Sequence, residues 1–333
     1  MSSNIDRNRH WRQWELHRTI SAKNIAIALI LCILMSFSAH NTELDKAVVD
    51  TSKAMLSAIG IGESDVLDGA ARFASKALPI QISERSALNR LTKIDRNDLP
   101  VFSYIEIGED REYDALNDTW TIEKTEYLVS PFGYLQKVFF KMLETIEMGF
   151  WGTIISIMLS LPLGILASQN YAPNKLVYTI ARGWLSLHRA LPELIVALFL
   201  VLIYGFGPVA GVLALAIHTS GVLGKFFADE IENAPPGPQL ALSSSGAGAI
   251  KVLRYAVFPH VYPAWVAYVQ YIFERNIRTA TVLGIVGAGG IGMELKGRWD
   301  LFDYDHVATI LLVIFLTVVC LEYLSQKIRK RAL

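Results

Sequence analysis

Six apolar stretches, each close to the length of a membrane-spanning helix, dominate this chain of 333 residues. They run over residues 24–39, 143–168, 176–206, 208–227, 259–285 and 307–323. A helix needs about 20 mostly apolar residues to cross the hydrocarbon core of a bilayer. Charged residues make up 19% of the chain, whereas they make up about a quarter of a typical soluble domain. The sequence therefore predicts an all-α integral membrane protein with about six transmembrane helices.

The distribution of basic residues predicts how these helices are oriented. Cytoplasmic flanks of membrane proteins carry an excess of Lys and Arg. Residues 1–23 hold five cations against two acids, and residues 326–333 hold four cations and no acid. Both segments are therefore predicted to be cytoplasmic, which requires an even number of spans. The helix at 24–39 could instead belong to a cleaved signal peptide, but the long basic region before it favours an uncleaved anchor.

Residues 41–130, between the first two predicted spans, form a polar insert. It carries 17 Asp and Glu against 10 Lys and Arg, a net charge of −7. The topology places it outside the cytoplasm, although long loops cross the membrane largely regardless of their charge. We expect a small extracytoplasmic domain or a loosely ordered insert, and the sequence assigns it no function.

A glycine-rich string near the end of the chain, TVLGIVGAGGIG at 281–292, fits two incompatible structures. Its spacing Gly287-x-Gly289-x-x-Gly292, with Gly290 inside it, matches a dinucleotide-binding turn and would indicate a membrane-anchored oxidoreductase. Such a turn needs a following helix, a second strand and an acidic residue about 20 positions further on. Residues 293–333 offer only a charged patch and one more span. We therefore expect a loop between two spans, in which the glycines permit close backbone approach.

A loop of 30 residues, 229–258, joins the fourth and fifth predicted spans on the cytoplasmic side. The string PPGP at 235–238 is expected to stop the preceding helix. Two short helices are predicted after it, at 239–243 and 247–256, with Gly246 permitting a sharp bend between them. The loop could be only an amphipathic connector, but a loop of this length often has a function.

This loop resembles the cytoplasmic signature of the membrane subunits of bacterial ABC importers: Glu-Ala-Ala, three residues, Gly, nine residues, Ile, one residue, Leu-Pro. Alignment on the Gly places Ala, Phe and Pro of this chain at the Ile, Leu and Pro positions. The front half departs from the signature, because Leu-Ala-Leu at 240–242 stands where the family has Glu-Ala-Ala. In the family this loop docks into the ATPase, and the lost Glu puts one polar contact in doubt. The coupling residues that the resemblance implies are Gln239, Leu240, Ala241, Leu242, Gly246, Ala256, Phe258 and Pro259.

The flanking strings GPVAGVLALAIHTSGVLGKFFADEIEN at 207–233 and FERNIRTATVLGIVGAGGIG at 273–292 are similar to the permease of phosphonate importers. The resemblance covers residues 143–333, including a transmembrane domain at 143–325, and ERNIRTATV points most specifically to phosphonate or a close oxyanion such as phosphite. It implies a type I ABC importer permease fold in the bacterial inner membrane. It also implies a homodimer, separate ATPase subunits that bind ATP and Mg²⁺, an extracytoplasmic phosphonate-binding protein and no cofactor in this chain. The glycine string would then be an external re-entrant turn near the binding-protein contact.

Six ionisable residues inside the predicted spans are candidates for the path of an anion. They are Arg189, Glu193, His218, Glu274, Arg275 and Arg278. Charges in spans are costly and usually face a cavity or a partner, and the planar guanidinium of Arg suits tetrahedral oxyanions. A spacing of four residues predicts that Glu193 pairs with Arg189 and that Glu274 pairs with Arg278. These residues could instead be ion pairs that fix helix packing, and His218 could be a packing histidine.

Several function classes lack their motifs in this sequence. No GxxxxGK[ST] phosphate loop is present, since GVLGK at 221–225 has the wrong spacing, so ATP hydrolysis is expected in a partner chain. No HExxH, CxxC or nucleophile–base motif is present, and we predict neither a catalytic nor a metal site. The formal net charge of zero suggests no nucleic-acid partner. A gradient-driven secondary transporter stays an alternative, although the internal repeat of many such proteins is not visible.

Overall fold

The computed structural model describes residues 22–88, 99, 102–114 and 119–332. The predicted basic N-terminal segment, residues 1–23, lies almost wholly outside the described residues, as does Leu333 at the end of the predicted basic tail. The chain divides into two compact units, Met1–Ala74 and Ser75–Leu333.

The described part of the first unit is helical. α1 spans Ala22–Asn41, α2 spans Leu44–Ala58, and α3 begins at Asp65 and ends at Ala77, just past the limit of the unit. α1 is apolar around its whole circumference over residues 25–37 and is long enough to cross a membrane, as its sequence predicts.

The second unit contains an antiparallel sheet that the sequence patterns do not predict. β1 (Glu84–Ala87), β2 (Tyr104–Asp114) and β3 (Thr119–Ser130) lie in the order β1-β3-β2. β2 and β3 form a long hairpin whose register runs from Tyr104 opposite Val129 to Asp114 opposite Thr119. Charged residues recur along both strands, so no apolar run marks them in the sequence. The described part of the polar insert is thus ordered as helices and a sheet.

The remainder of the second unit is helical. Its helices are α4 (Gly133–Leu166), α5 (Lys175–Ala190), α6 (Glu193–Tyr204), α7 (Pro208–Asn233), α8 (Pro236–Ser244), α9 (Ala249–Val252), α10 (Phe258–Ile285), α11 (Gly290–Asp300) and α12 (Tyr304–Ala332). A π-helical turn, Leu253–Val257, joins α9 directly to α10. α7 ends just before the proline-rich string, as predicted.

Each predicted span coincides with a helix or with a bent pair of helices, but one of these helices is less apolar than the others. Within the described ranges, α1, α4, α7 and α12 are long and apolar enough to cross a membrane, and the bent pair α5–α6 would make a fifth span. α10 has 28 residues, but its polar residues, among them Glu274, Arg275 and Arg278, keep it outside this group. The helix that departs from a plain apolar span is therefore the one richest in candidate path residues.

α7 is the central helix of this unit and packs against α4, α5, α6 and α10. Glycines let α4 approach it closely: a Cβ on Gly152 would lie 2.8 Å from Leu215 Cβ, and one on Gly164 would lie 3.0 Å from Phe227 Cβ. Small residues at helix contacts are typical of membrane proteins, where close packing replaces the hydrophobic driving force. Leu215 and Phe227 are accordingly almost completely buried.

The apolar stretch 176–206 is broken in its middle. α5 ends at Ala190 and α6 begins at Glu193, with the two axes bent by 85°. Pro192 accounts for the break, because it lacks an N–H and forces the preceding Leu191 into extended backbone, at ψ 119°. Arg189 and Glu193 therefore do not share a helix face, and the predicted pair between them is wrong.

Candidate functional site

The break between α5 and α6 carries a cluster of three ionisable side chains from three helices. Glu193, in the first turn of α6, has Oε1 3.0 Å from Nη2 of Arg275 on α10. Its Oε2 lies 3.4 Å from Nε2 of His218 on α7. The side chains of Glu193, Arg275 and His218 are 23%, 32% and 11% exposed. These three residues, the ionic cluster, are thus partly shielded but still reachable from one side.

His218 ties the ionic cluster to the break. Its Nδ1 lies 2.9 Å from the carbonyl oxygen of Leu191, and because a carbonyl can only accept, Nδ1 carries a proton and donates. In the neutral ring Nε2 is then an acceptor, and Nη2 of Arg275 lies 3.4 Å from it. In the protonated ring Nε2 donates to Glu193 instead. His218 can therefore bond either to the cation or to the carboxylate of the cluster.

A buried polar network lies directly beside the ionic cluster. Asn276 donates from Nδ2 to Oγ1 of Thr153 at 2.9 Å, and Thr219 donates from Oγ1 to Oδ1 of Asn276 at 3.1 Å. All three side chains are at most 3% exposed, and they join α4, α7 and α10. Since Thr219 and Asn276 follow His218 and Arg275 in the chain, the network fixes the backbone that carries two cluster residues. Sequence reasoning missed it, because single Thr and Asn residues in apolar runs form no pattern.

The structure places the other predicted path residues away from the ionic cluster. Glu274 pairs with Arg278 within α10 at 3.0 Å, as their spacing indicates. Arg189, at the end of α5, lines a separate cavity of about 80 Å³ together with Arg182 and Lys225. The sequence patterns did not single out these last two cations, which lie on different helices.

The loop at 229–258 contains the two predicted short helices with altered bounds. α8 begins at Pro236 rather than at residue 239, since proline fits the first helical turn. Gly246 follows α8 with φ +82°, a left-handed conformation that favours glycine and turns the chain. The second predicted helix, 247–256, is divided into α9 and the π-helical turn, which runs without interruption into α10.

Both ends of this loop are packed against neighbouring segments of the chain. Nε2 of Gln239 donates to the carbonyl of Ala234 at 3.1 Å, and its Oε1 accepts from Tyr171 Oη at 2.9 Å. At the other end Ala256 is buried, and Phe258 packs edge-on against a tryptophan of α10. These residues hold the loop at both ends.

The middle of the loop presents apolar side chains to solvent. Leu240 and Ile250 are 64% and 82% exposed, and Tyr255 is also exposed. Ala241 is exposed and Leu242 half-buried, and a cavity of about 730 Å³ opens beside Leu240. Exposed apolar residues grouped on a surface mark a site of interaction.

The glycine-rich string forms the turn between α10 and α11. Gly287, Gly289 and Gly290 have φ angles of +92°, +85° and +69°, which other residues rarely adopt. A Cβ on Gly292 would lie 1.9 Å from the carbonyl oxygen of Thr281, so only glycine fits there. The turn follows a helix, whereas a dinucleotide-binding turn follows a strand.

The first amide groups of α11 are bonded to side chains of α4. The Gly290 N–H donates to Glu144 Oε1 at 3.0 Å, and the Ile291 N–H donates to Thr145 Oγ1 at 2.8 Å. A carboxylate therefore occupies the position that a pyrophosphate would take at a helix N-terminus. The structure excludes the dinucleotide-binding alternative for this string.

A second group of charges holds α11 in place. Glu294 lies 3.2 Å from Lys137 of α4 and 3.2 Å from Arg298, and Arg298 lies 3.2 Å from Asp303. Burial alone would raise the pKa of Glu294, but Lys137 and Arg298 outweigh burial and hold that pKa below its ordinary value. The turn and α11 are thus fixed by charge pairs as well as by hydrogen bonds.

Comparison with known proteins agrees with this architecture. The family described as binding-protein-dependent transport system inner membrane component matches residues 160–332. A putative phosphite transport system permease protein of Stutzerimonas stutzeri is 49% identical over 257 residues, which are 76% of this chain and 98% of that protein. A phosphate-import permease protein of Mycolicibacterium smegmatis is 45% identical over 188 residues, 56% of this chain and 35% of that protein. A putative cryptic phosphonate transport system permease protein of Escherichia coli is 42% identical over 118 residues, 35% of this chain and 97% of that protein.

Solved structures share the fold of the helical part. An inward-facing methionine ABC transporter matches with a TM-score of 0.52 and 18% identity, over 59% of this chain and 96% of that one. An amino acid ABC transporter matches with a TM-score of 0.51 and 17% identity, over 60% of this chain and 95% of that one. The predicted type I ABC importer permease fold is confirmed. The chain belongs to the binding-protein-dependent transport system inner membrane components.

Proposed function

We propose that this chain is the membrane-spanning subunit of an ABC importer that moves phosphonate anions into the cytoplasm. The observation that carries the proposal is the identity of 49% with nearly the whole length of a permease named for phosphite. Phosphite and phosphonates are both tetrahedral phosphorus anions with one substituent that is not oxygen. Relatives named for phosphonate and phosphate support the same class of cargo.

The ionic cluster is the proposed contact for this anion within the membrane. His218 lies ten residues after the start of α7, about 15 Å along the helix axis, which is about half the thickness of the hydrocarbon core. The guanidinium of Arg275 can present two N–H groups to two oxygens of a phosphonate. Glu193 holds that guanidinium in the empty protein, so the arriving anion exchanges with the carboxylate. Because the anion must displace Glu193 from Arg275, it binds weakly enough to be released.

Energy for this movement is proposed to come from a separate ATPase subunit that binds ATP and Mg²⁺. The exposed residues Leu240, Ile250 and Tyr255 supply an apolar surface for that partner. α9, the π-helical turn and α10 form one continuous element, and Arg275 lies 17 residues after the start of α10. A displacement of the loop is therefore passed along α10 to the ionic cluster. The missing Glu of the family signature leaves this apolar contact in place.

Two copies of this chain pair over two ATPase subunits in the bacterial inner membrane, with both termini in the cytoplasm. An extracytoplasmic phosphonate-binding protein delivers the cargo near the turn between α10 and α11. The lipid bilayer surrounds the helices, and no nucleic acid takes part.

Phosphite is the second candidate cargo, because the relative that spans almost the same residues is named for it. The two anions differ in size, since phosphite has a hydrogen where a phosphonate has a carbon substituent. The ionic cluster contacts the oxygen atoms, which both anions have, so it does not distinguish phosphite from a phosphonate.

Uptake of labelled methylphosphonate tests the proposal. Cells that lack this gene, and the same cells with the gene restored, are compared with unlabelled phosphonates, phosphite or phosphate as competitor. Gene-dependent uptake that other phosphonates reduce, and that phosphite and phosphate do not, supports the phosphonate assignment. Uptake of labelled phosphite, with none of methylphosphonate, would transfer the assignment to phosphite. Uptake that persists after loss of the ATPase would contradict the ABC mechanism and favour a gradient-driven transporter.

A further inference from the structure

A small cavity between α5 and α7 is lined by cations and by no carboxylate. Its volume is about 80 Å³, and its lining residues are Arg182, Leu185, Ser186, Arg189 and Lys225. We propose that this cavity is a binding site for a tetrahedral phosphorus oxyanion, held by Arg189 and Lys225.

The charges that face the cavity are not all equivalent. Arg182 is compensated, because its Nη1 lies 3.1 Å from Asp229 and its Nη2 lies 2.9 Å from Glu232. In the part of the chain that the structure describes, Arg189 and Lys225 make no ion pair of this kind. Two cations thus face the same small space without a counter-charge, and an anion placed there supplies it.

Close packing of the two helices closes one end of the cavity. A Cβ on Gly221 of α7 would lie 2.7 Å from the backbone nitrogen of Arg189, and one on Gly224 would lie 2.4 Å from a methyl group of Leu185. These glycines allow α5 and α7 to touch, which brings Arg189 and Lys225 to the same cavity. Ser186 and Arg189 are exposed, so a small ligand can reach the cavity beside them.

The charges of the cavity argue for a ligand. Lys225 is half-buried near the end of the predicted span 208–227, and Arg189 is exposed at the end of α5. Cations within or beside spans usually pair with an anion or face a cavity, and these two share one cavity. An Arg fork and a Lys ammonium together suit the several oxygens of a phosphonate or phosphoryl group.

A tetrahedral phosphorus oxyanion can reach this cavity from two sources. Lys225 lies seven residues after His218, about 10 Å nearer the cytoplasmic end of α7, so an imported anion that leaves the ionic cluster reaches this cavity next. The phosphoryl headgroup of an anionic lipid is the other source. The first source rests on the proposed function, and the second does not.

The test uses the full-length chain, copurified with its ATPase subunit and placed in lipid nanodiscs. In one arm the lipid is phosphatidylcholine alone, and methylphosphonate binding is measured by calorimetry. In the other arm the nanodiscs contain phosphatidylglycerol, and the lipid retained by the protein is counted by mass spectrometry. The test variant is Arg189→Gln with Lys225→Gln. The control is Lys175→Gln, because Lys175 is an exposed cation on the same helix that does not line the cavity.

We expect the double variant to weaken binding in one arm by at least about tenfold, since two charged hydrogen-bond donors are removed, while Lys175→Gln leaves it unchanged. A loss in the methylphosphonate arm assigns the site to the cargo, and a loss in the lipid arm assigns it to a headgroup. Wild-type binding by the double variant in both arms would overturn the site. Failure of the wild-type gene to support phosphonate uptake in cells would instead count against the proposed function, and the lipid arm would still decide the cavity.

Discussion

Arg275 and Glu193 show how a single carboxylate can stand in for a transported anion. The two side chains are 82 residues apart in sequence and meet only because Pro192 bends the chain between α5 and α6. If the pair served packing alone, loss of either partner would leave a comparable unpaired charge. If Arg275 also receives the cargo, the two losses have unequal effects on transport.

We therefore expect Arg275→Gln to lower methylphosphonate uptake per permease molecule by about tenfold or more, because a charged hydrogen-bond donor to the cargo is lost. Glu193→Gln leaves the guanidinium in place and should reduce uptake less, while making it more sensitive to added sulfate. Initial uptake rates, divided by the amount of permease in the membrane, measure both effects. Lys296→Gln is the control, since Lys296 also pairs with a carboxylate but is exposed and lies outside the proposed path. Equal losses for the two cluster variants would indicate a packing pair.

In the loop at 229–258, the role of the backbone can be tested separately from the side-chain contacts at Gly246. Gly246 has φ +82°, and a Cβ placed on it would meet nothing within 4 Å. Any effect of a larger residue there is therefore an effect on the turn between α8 and α9. Gly248, two residues later, has φ −67° and equally open surroundings, so it tolerates a side chain.

We expect Gly246→Val to abolish most phosphonate uptake while leaving the amount of protein in the membrane close to normal. A β-branched residue in the left-handed region costs at least about 1–2 kcal/mol, so the loop moves out of its docking conformation. Uptake and cargo-stimulated ATP hydrolysis are measured on the same preparation. Gly248→Val should retain both activities. Normal ATP hydrolysis and uptake by Gly246→Val would remove the loop from the coupling mechanism.

The positions of the helices could be predicted from the sequence because apolar length and proline carry that information locally. The side chains that pair between helices and the pairing of the strands could not be predicted, since they depend on contacts between distant segments. Spacing predicts Arg189 as the partner of Glu193, yet its partners are Arg275 and His218 on other helices. The hairpin of β2 and β3 could not be predicted, because charged residues recur along both strands. Lys225 meets Arg182 and Arg189 only through the packing of α5 against α7, which the sequence does not reveal.

Partly buried charge pairs make the stability of the whole protein depend on pH. The folded state holds the pKa of Glu294 below its ordinary value of 4.5, so the folded protein binds fewer protons there than the unfolded chain. The resulting stabilisation is fully present above that ordinary value and is lost as pH falls through the lower folded value. It acts where α4 and α11 meet.

We expect the unfolding temperature of the detergent-purified protein to fall on acidification below about pH 4.5, and to fall less steeply in Glu294→Gln. The variant should be less stable than the wild type at neutral pH, because Lys137 and Arg298 lose their counter-charge. Asp300→Asn, which removes an exposed pair with Lys296 on the same helix, is the control and should follow the wild-type profile. Parallel profiles for the wild type and Glu294→Gln would contradict the assignment.

The carboxylate of Glu193 also bears on what the protein does between cycles. A bare guanidinium inside the membrane would attract chloride and any other small anion, and a membrane potential that is negative inside would drive these ions outward. With Glu193 3.0 Å from Arg275, the guanidinium of the ionic cluster is compensated in the empty protein. The ionic cluster of an idle permease therefore gives small anions no unpaired cation to bind, and Glu193→Gln should raise the efflux of chloride from proteoliposomes when no cargo is present.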